Sequence, residues 1–444
     1  MKSIKEIRKG KFGKKFEQGQ VIILMALAMV ALLGFTSLAI DGGMLYADRR
    51  AAQNAADAAA FAGILKKAKG LSDADAIMAA VDLASTNGYE SSQVNVEVWS
   101  QSDITGNYDF VSVDVTATTR TAFLHFVFDG EASNKVMAVT KVRAAGPAFP
   151  EVAIVAMNDC TTGGGPLLSI TGGGNSGGVL TYNGGMFINS PEPSGSGHCA
   201  INPPSSAVTW GIRAFDGYKI WSVGSHAYNG QTKVSPVPIQ VGFNGGQPIS
   251  DPLAGLLEPQ CTANGSVVGG VHQPGRYGGP GQPSLSGNQD KTFAPGIYCI
   301  SGDVTVAGNG SWSGDGVVLN FMNGALSFRG NGNLTLTAPN ATNCIGNNGD
   351  LTASCTYKGI VMYSSRANTN TLDIRGNGDI RVTGLVYALN GRVEGKGGGA
   401  DPDDWVVRGQ IIAGSVAGDG NGSFVVSYDA DNTYHINTLM NLEQ

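Results

Sequence analysis

Charge is what this 444-residue chain has least of: Asp, Glu, Lys and Arg make up 14% of it, against 65 glycines. Soluble domains carry about 25% charged residues, so an ordinary cytosolic enzyme is a poor fit from the outset. Seven basic residues crowd the start of the chain, and the rest are scattered through a molecule of net charge −6. Without a basic stripe there is no electrostatic support for nucleic acid as a partner. Histidine is scarce too, and none of His125, His198, His226, His272 and His435 has a metal-like H-x-x-x-H neighbour. There is no C-x-x-C and no P-loop. These absences predict no catalytic residue, no cofactor and no metal centre. The one dense acidic cluster, Asp401, Asp403 and Asp404, is the candidate for Ca²⁺ or for the acid and base of a polysaccharide-cleaving β-helix. Its plain alternative is a solvated insertion loop. Asp419, Asp429 and Asp431 with Asn432 form a second Ca²⁺ candidate, placed at the coil's end.

What is present is a long apolar run. Val21 to Ile40 are uncharged, and these twenty residues span roughly 30 Å as a helix, the thickness of a bilayer's hydrocarbon core. Lys2, Lys5, Arg8, Lys9, Lys11, Lys14 and Lys15 precede it, against Glu6 and Glu17. The positive-inside rule then keeps the N-terminus in the cytoplasm and sends everything after Asp41 across the membrane. A cleavable signal has an apolar region of about 7–15 residues ending in a small-x-small site, and this run is longer and continues outward. The expected anchor is therefore Val21 to Ile40, closed by Asp41.

Beyond it, Ala51, Ala52, Ala55, Ala56, Ala58, Ala59, Ala60 and Ala62 extend the helix to about Lys67 and leave a stripe that permits close packing. A second helix is predicted over Leu71–Ser85, capped by Ser72, with Ile77, Val81 and Leu83 as its apolar side and Gly88 as its end. The period then changes to two around Val94, Val111 and Val136, which reads as three strands. The aromatic stretch Thr121–Phe128 between the last two is expected to lie against the stalk helix.

GQVIILMALAMVALLGFTSLAIDGG, then Leu45-Tyr46-Ala47, Arg49-Arg50 and Gln53-Asn54-Ala55-Ala56-Asp57, resembles the N-terminal segment of tight-adherence (Flp) pilus-assembly proteins of the TadE/TadG-like kind. The resemblance covers about the first 65 residues and implies a bacterial envelope protein attached or related to pilus machinery. A looser resemblance, to glycine-rich C-terminal regions of Tad-like envelope proteins, runs through Asp251–Ala254, Ala294–Cys299, Lys358–Tyr363 and Gly384–Ala388. It implies a surface module.

From Val152 the chain becomes short strands and glycine turns. Gly-Asn-Gly recurs around Asn309, Asn331, Asn377 and Asn421, at spacings of 22, 46 and 44. A coil of about 22 residues is what a parallel β-helix needs, and the two long spacings are read as double units hiding an intervening coil each. Glycine is expected at the corners for positive φ, with Trp312, Leu334, Ile380 and Phe424 pointing into the core. The alternative is an antiparallel sandwich with Gly-Asn hairpins. For residues 152–260 the phase is lost, and only β structure is expected.

The six cysteines, Cys160, Cys199, Cys261, Cys299, Cys344 and Cys355, all follow the anchor and are expected to pair in sequence order as disulfides of an exported domain. Trp210, Tyr218, Trp221 and Tyr228 fall in one stretch, as in surfaces that stack on sugars, although core packing explains them equally well.

The fold class read from the sequence is α+β and mainly β. A transmembrane stalk helix leads into a small α+β module, then a β-rich region ending in a right-handed parallel β-helix. The segments are a basic leader 1–20, span 21–40, stalk and module 41–145, linker 146–151, glycine-rich region 152–294, β-helix 295–429 and tail 430–444. The function read is a non-enzymatic envelope protein of a Tad/Flp-type pilus system that displays the solenoid for adhesion or pilus assembly. Its expected partners are membrane lipid, other pilus or pilin-like subunits met through the alanine-rich stalk, and surface glycans. A filament-forming pilin-like subunit and a surface-anchored polysaccharide lyase or hydrolase are the competing functions.

Overall fold

The computed structural model describes residues 17–123, 132–158, 166–171, 177–191, 201–202, 210–224, 233–237, 239–242, 246–344, 353–397, 400–419, 421–436 and 439–443. The chain forms two compact units, 1–101 with 107–144 and 438–444, and 102–106 with 145–437. The larger unit is thus inserted into the smaller one along the chain.

The smaller unit is built on α1 (Glu17–Ala68), one uninterrupted helix of 52 residues. Its first half is exposed along the apolar run apart from half-buried Ser37, and the hydroxyls of Thr36 and Ser37 donate back to the carbonyls of Leu32 and Leu33. Such back-bonding leaves no hydroxyl unsatisfied in an apolar surrounding. The second half buries Ala52, Ala55, Ala56, Ala59, Ala60 and Ile64. α2 (Asp73–Thr86) starts on a capping box in which the Ser72 side chain accepts from Asp75 N and the Asp75 carboxylate accepts from Ser72 N. Its buried face is Ala76, Ala80 and Ala84, spaced four apart, whereas Ile77 and Met78 are exposed. The expected face of Ile77, Val81 and Leu83 is therefore corrected: alanines hold the close contact, Val81 and Leu83 are half-buried beside it, and Ile77 is exposed.

β1 (Val94–Asp103), β2 (Gly106–Thr119) and β3 (Ala132–Arg143) form a sheet in that order, completed by Leu439–Glu443 antiparallel to β3. In the register of β2 on β3, Val111 faces Thr140, Val113 faces Ala138 and Val115 faces Val136, and this column packs on the alanines of α1 and α2. Of the aromatic stretch, Thr121 to Phe123 are described and reach α1; Leu124 to Phe128 lie outside the described residues.

The larger unit is a coil of parallel strands with three walls. One wall stacks Lys291–Phe293, Trp312–Gly314, Leu334–Thr337 and then the start of Ile380–Gly395. The second stacks Gly296–Ile300, Val317–Phe321, Ile360–Ser364 and the middle of the same long strand. Val304–Val306, Leu326–Phe328, Thr371–Ile374 and its end make the third. Val407–Asp419 adds a coil to all three walls. Large side chains fill the interior, including Trp312, Tyr298, Phe321, Phe328 and Phe424, all fully buried.

The next coil is composite. Ser423–Tyr428 continues the first wall, but Val152–Ala156 and Leu168–Thr171 continue the second and third. Gly178–Tyr182 then stacks on Ser423–Tyr428, and Gly185–Ile188 on Val152–Ala156. The chain therefore enters the solenoid at mid-length, winds to one end and crosses to the other. It then winds back to finish beside its entry, where His435–Ile436 pairs with Gly146–Pro147. The strands Val152–Ala156, Leu168–Thr171, Gly178–Tyr182, Gly185–Ile188, Gly211–Ala214 and Ile220–Ser222 belong to the same coil as the Gly-Asn-Gly repeats, and a boundary at 294 does not divide it.

Two further expectations change. The spacing of 46 hides no coil: Leu334 pairs directly with Ile380, and a disulfide joins Cys344 to Cys355 in the segment between them. The spacing of 44 does hide one, Val407–Asp419. Positive φ explains only part of the glycine pattern, since Gly308 sits at 71° while Gly332 and Gly378 do not lie in that region. Those two are required by stacking, because a Cβ on Gly332 would sit 2.2 Å from the carbonyl oxygen of Gly310, and one on Gly378 2.3 Å from that of Gly332.

Candidate functional site

Two places concentrate polar work on apolar surroundings, one in each unit. In the smaller unit Asp41 ends the apolar run and is 2% exposed. Its Oδ1 accepts from Ala122 N at 2.6 Å and its Oδ2 from Phe123 N at 3.0 Å, so the end of the aromatic stretch nearest β2 is clamped to the stalk. A carboxylate at this position is tolerated because charge-assisted bonds from backbone amides replace water. Above it, the Gln53 side chain donates to Asp57 Oδ1 at 2.8 Å and to Met137 O at 3.2 Å, while Asn54 is exposed. Of the anchor residues, Val21 is 52% and Ile40 44% exposed, in an otherwise exposed apolar helix.

In the larger unit the outer surface of the second wall carries Cys299, Asn320, Tyr363, Tyr387, Ile412, Val155 and Phe187 in one aligned column ending at Trp221. A strap, residues 249–261, runs along this column and covers it. Asn189 exchanges two hydrogen bonds with Ile249, of 2.8 and 2.9 Å. Asp251 accepts from Arg366 Nε at 2.7 Å and from Tyr387 Oη at 2.8 Å. Glu258 accepts from Ser365 Oγ and Arg366 N, both at 2.9 Å, and Asn320 donates to Pro259 O at 2.7 Å. The Cys261–Cys299 disulfide closes the far end, with an S–S distance of 2.06 Å. Burial and the nearby Asp251 charge push the Tyr387 phenol well above its usual range, so it stays a donor. Four segments singled out in the sequence, at Asp251, Ala294, Lys358 and Gly384, thus converge here. Arg366 was not among them; its only signal was a lone arginine in a stretch poor in charge.

The third wall carries a charge network that sequence reasoning also missed. Asp373, 3% exposed, accepts from Arg329 and from Arg375 Nε at 2.9 Å. Arg375 reaches Glu394 at 2.6 Å, and Arg392 meets Glu394 at 2.7 Å. Every carboxylate in it has an arginine, so the network closes on itself.

The acidic candidates do other work. Asp401 caps the short helix Pro402–Asp404 by accepting from Asp403 N at 3.2 Å, and the Arg381 guanidinium donates to the carbonyls of Asp403 and Trp405 while lying 4.9 Å from the Trp405 ring. Asp429 is bonded to Arg408 at 2.8 Å and sits in the middle of the solenoid rather than at its end. Burial alone would raise its carboxyl, but bonds from Asn432 and Arg408 hold it below the usual value. Among the described residues no group of three or more His, Cys, Asp and Glu is placed to hold a metal.

The aromatic candidates are divided. Tyr218 packs against the solenoid interior, Trp221 against the strapped face, and Trp210 is exposed beside Gly178; Tyr228 lies outside the described residues. Of the expected disulfides, Cys261–Cys299 and Cys344–Cys355 are formed, and Cys160 and Cys199 lie outside the described residues. His125, His198 and His226 do as well.

Comparison with known proteins adds one finding. Residues 19–81 match the Tad family of Flp pilus-assembly TadE/G-like proteins, a segment that covers the apolar half of α1, its alanine face and most of α2. No curated protein and no solved structure matches the chain.

Proposed function

We propose that this is a non-enzymatic envelope protein of a Tad/Flp-type pilus system, held N-in, C-out in the cytoplasmic membrane by α1, with the solenoid on the outside for surface adhesion or pilus assembly. One observation carries the reading. A twenty-residue uncharged run, exposed along its length, continues without a break into a helix whose alanine face is buried in the matched Tad-like segment. An exposed surface of that size is stable only against lipid or other apolar helices. Because Ala52, Ala56, Ala59 and Ala60 are already covered by the chain's own α2 and sheet, subunits of a pilus machinery would be met through the run itself rather than through the alanines.

The test is protease accessibility. In intact cells or spheroplasts, added protease should cut the solenoid while a cytoplasmic marker stays whole. Protection until the cytoplasm is opened overturns the orientation. Electron microscopy of sheared surface material separates a membrane-bound protein, absent from filaments, from a filament subunit present along them.

A further inference from the structure

Four hydrogen-bonded levels fix the height of the sheet along α1. Ala122 N and Phe123 N donate to Asp41, Asn134 Nδ2 donates to Leu45 O at 3.2 Å, Gln53 Nε2 donates to Met137 O at 3.2 Å, and Thr140 Oγ1 donates to Ala60 O at 3.1 Å. Along the helix these partners lie at Asp41 and then roughly 6, 18 and 28 Å above it, at 1.5 Å per residue. β3 therefore climbs the stalk, and the end of the sheet where β2 finishes and β3 begins is level with Asp41. Asp41 directly follows Ile40, the last residue of the uncharged run.

We infer that this end of the module rests on the bilayer, with Phe123 seated in the headgroup–hydrocarbon boundary as a second membrane contact beside the span. The inference rests on the reading of α1 as the anchor. If the run spans the bilayer, the plane through Asp41 is the edge of the hydrocarbon, and any group bonded to Asp41 lies at that depth on whichever side of the helix it sits. Phe123 is 43% exposed there, and Tyr46, 69% exposed, is little more than a turn above. Aromatic rings favour this boundary. Arg49, Arg50 and Arg120 are exposed close above it, where guanidinium groups meet lipid phosphates. The Asp41 carboxylate itself is shielded from lipid by the two amides it accepts from.

The experiment uses the full chain in vesicles of phosphatidylcholine and phosphatidylglycerol, with a nitroxide quencher placed either near the headgroup or deep in the acyl chain. Single substitutions L32W, F123W and M137W each add one emitter to the five native tryptophans, and the added quenching is read against the parent protein. The expected result is that L32W is quenched more by the deep label and F123W at least twofold more by the shallow one, while M137W, about 18 Å above Asp41 by the helix rise, is quenched by neither. If L32W is quenched and F123W is not, the second contact is wrong and the anchor stands. If F123W escapes both lipid labels and is also shielded from aqueous acrylamide, a second copy covers it and the proposal fails. If L32W escapes the deep label, the anchor fails and this inference with it.

Discussion

The two units bring backbones close by opposite means. In the stalk module the contact surfaces themselves are small: alanines of α1 meet Ala76, Ala80 and Ala84 of α2, and Gly63 sits at the crossing, where a Cβ would lie 2.9 Å from Val111 Cγ1. Bulky side chains such as Met78 are turned outward. In the solenoid, strand spacing is set by hydrogen bonds at about 4.8 Å, so side-chain size cannot alter the approach and large residues fill the bore. Small residues are pushed to the corners, where one turn lies on the next. Alanine makes the core of one unit, and glycine frames that of the other.

That difference predicts where damage concentrates. The largest loss is expected for Trp312→Ala, which empties a fully buried site between Phe293 and Phe328. It should cost about 3–5 kcal/mol, read as a lowered unfolding midpoint of the full chain in detergent, with the stalk module's helix signal unmoved. A common drop in both units would mean they do not unfold separately.

Next come the disulfides, which only the solenoid uses among the described residues. On the chain-entropy account, removing Cys261–Cys299, with a separation of 38, costs about 4 kcal/mol, and Cys344–Cys355, with a separation of 11, about 3 kcal/mol. Replacing both cysteines of each pair by serine and comparing denaturant midpoints checks the order. The first pair should also raise protease cutting within residues 249–261, because it ends the strap; equal cutting in both variants would show that Asp251 and Arg366 hold the strap alone.

The sharpest contrast uses the same substitution twice. At Gly378 an added Cβ meets the backbone carbonyl of Gly332 at 2.3 Å, and backbone in a stacked coil cannot yield. At Gly63 the nearest atom is a side-chain methyl, and the Ala76 carbonyl is at 3.1 Å. Gly378→Ala should therefore cost about 3 kcal/mol and Gly63→Ala about 1 kcal/mol. The reverse order would refute the idea that corners, rather than helix faces, are the tightest points of this molecule.

The legibility of each unit follows from the same physics. The span, the stalk's length, Ser72 as a cap and the valine alternation were readable because each is a local pattern. The repeat between Asn309 and Asn331 was readable because consecutive coils are consecutive in sequence. The coil formed by Ser423–Tyr428, Val152–Ala156 and Leu168–Thr171 was not, because its three strands come from opposite ends of the domain and share no phase. The asparagine phase did carry structural meaning: Asn331 donates to Asn309 and Asn377 to Asn331, at 3.4 and 3.1 Å, and Lys396 takes the next position with a bond of 3.2 Å to Asn377. That substitution broke the pattern and concealed a coil. The ties from Asp251 to Arg366 and Tyr387 span over a hundred residues, and no local spacing could announce them.

The smallest expected effect separates the units by acid. His272 is buried near the end of the coil between the Tyr277 and Phe293 rings, and its Nδ1 has no partner. Burial first, and the Lys291 charge second, hold its pKa below the ordinary 6.5. The unfolded chain then takes up a proton near that value that the folded coil refuses. Stability is present above the unfolded pKa and is lost as pH falls through it. In the stalk module the resolved shifts act elsewhere. Lys67 is raised, chiefly by its hydrogen bond to Asp73, which matters only above 10.5, and Asp75 is lowered by its bonds to Ser72, which matters only near and below 3.8. Between about pH 8 and pH 5 the solenoid's midpoint should fall while the module's holds, and His272→Phe should flatten most of the solenoid's slope. An unchanged slope in that variant would place the acid sensitivity in another group of the coil.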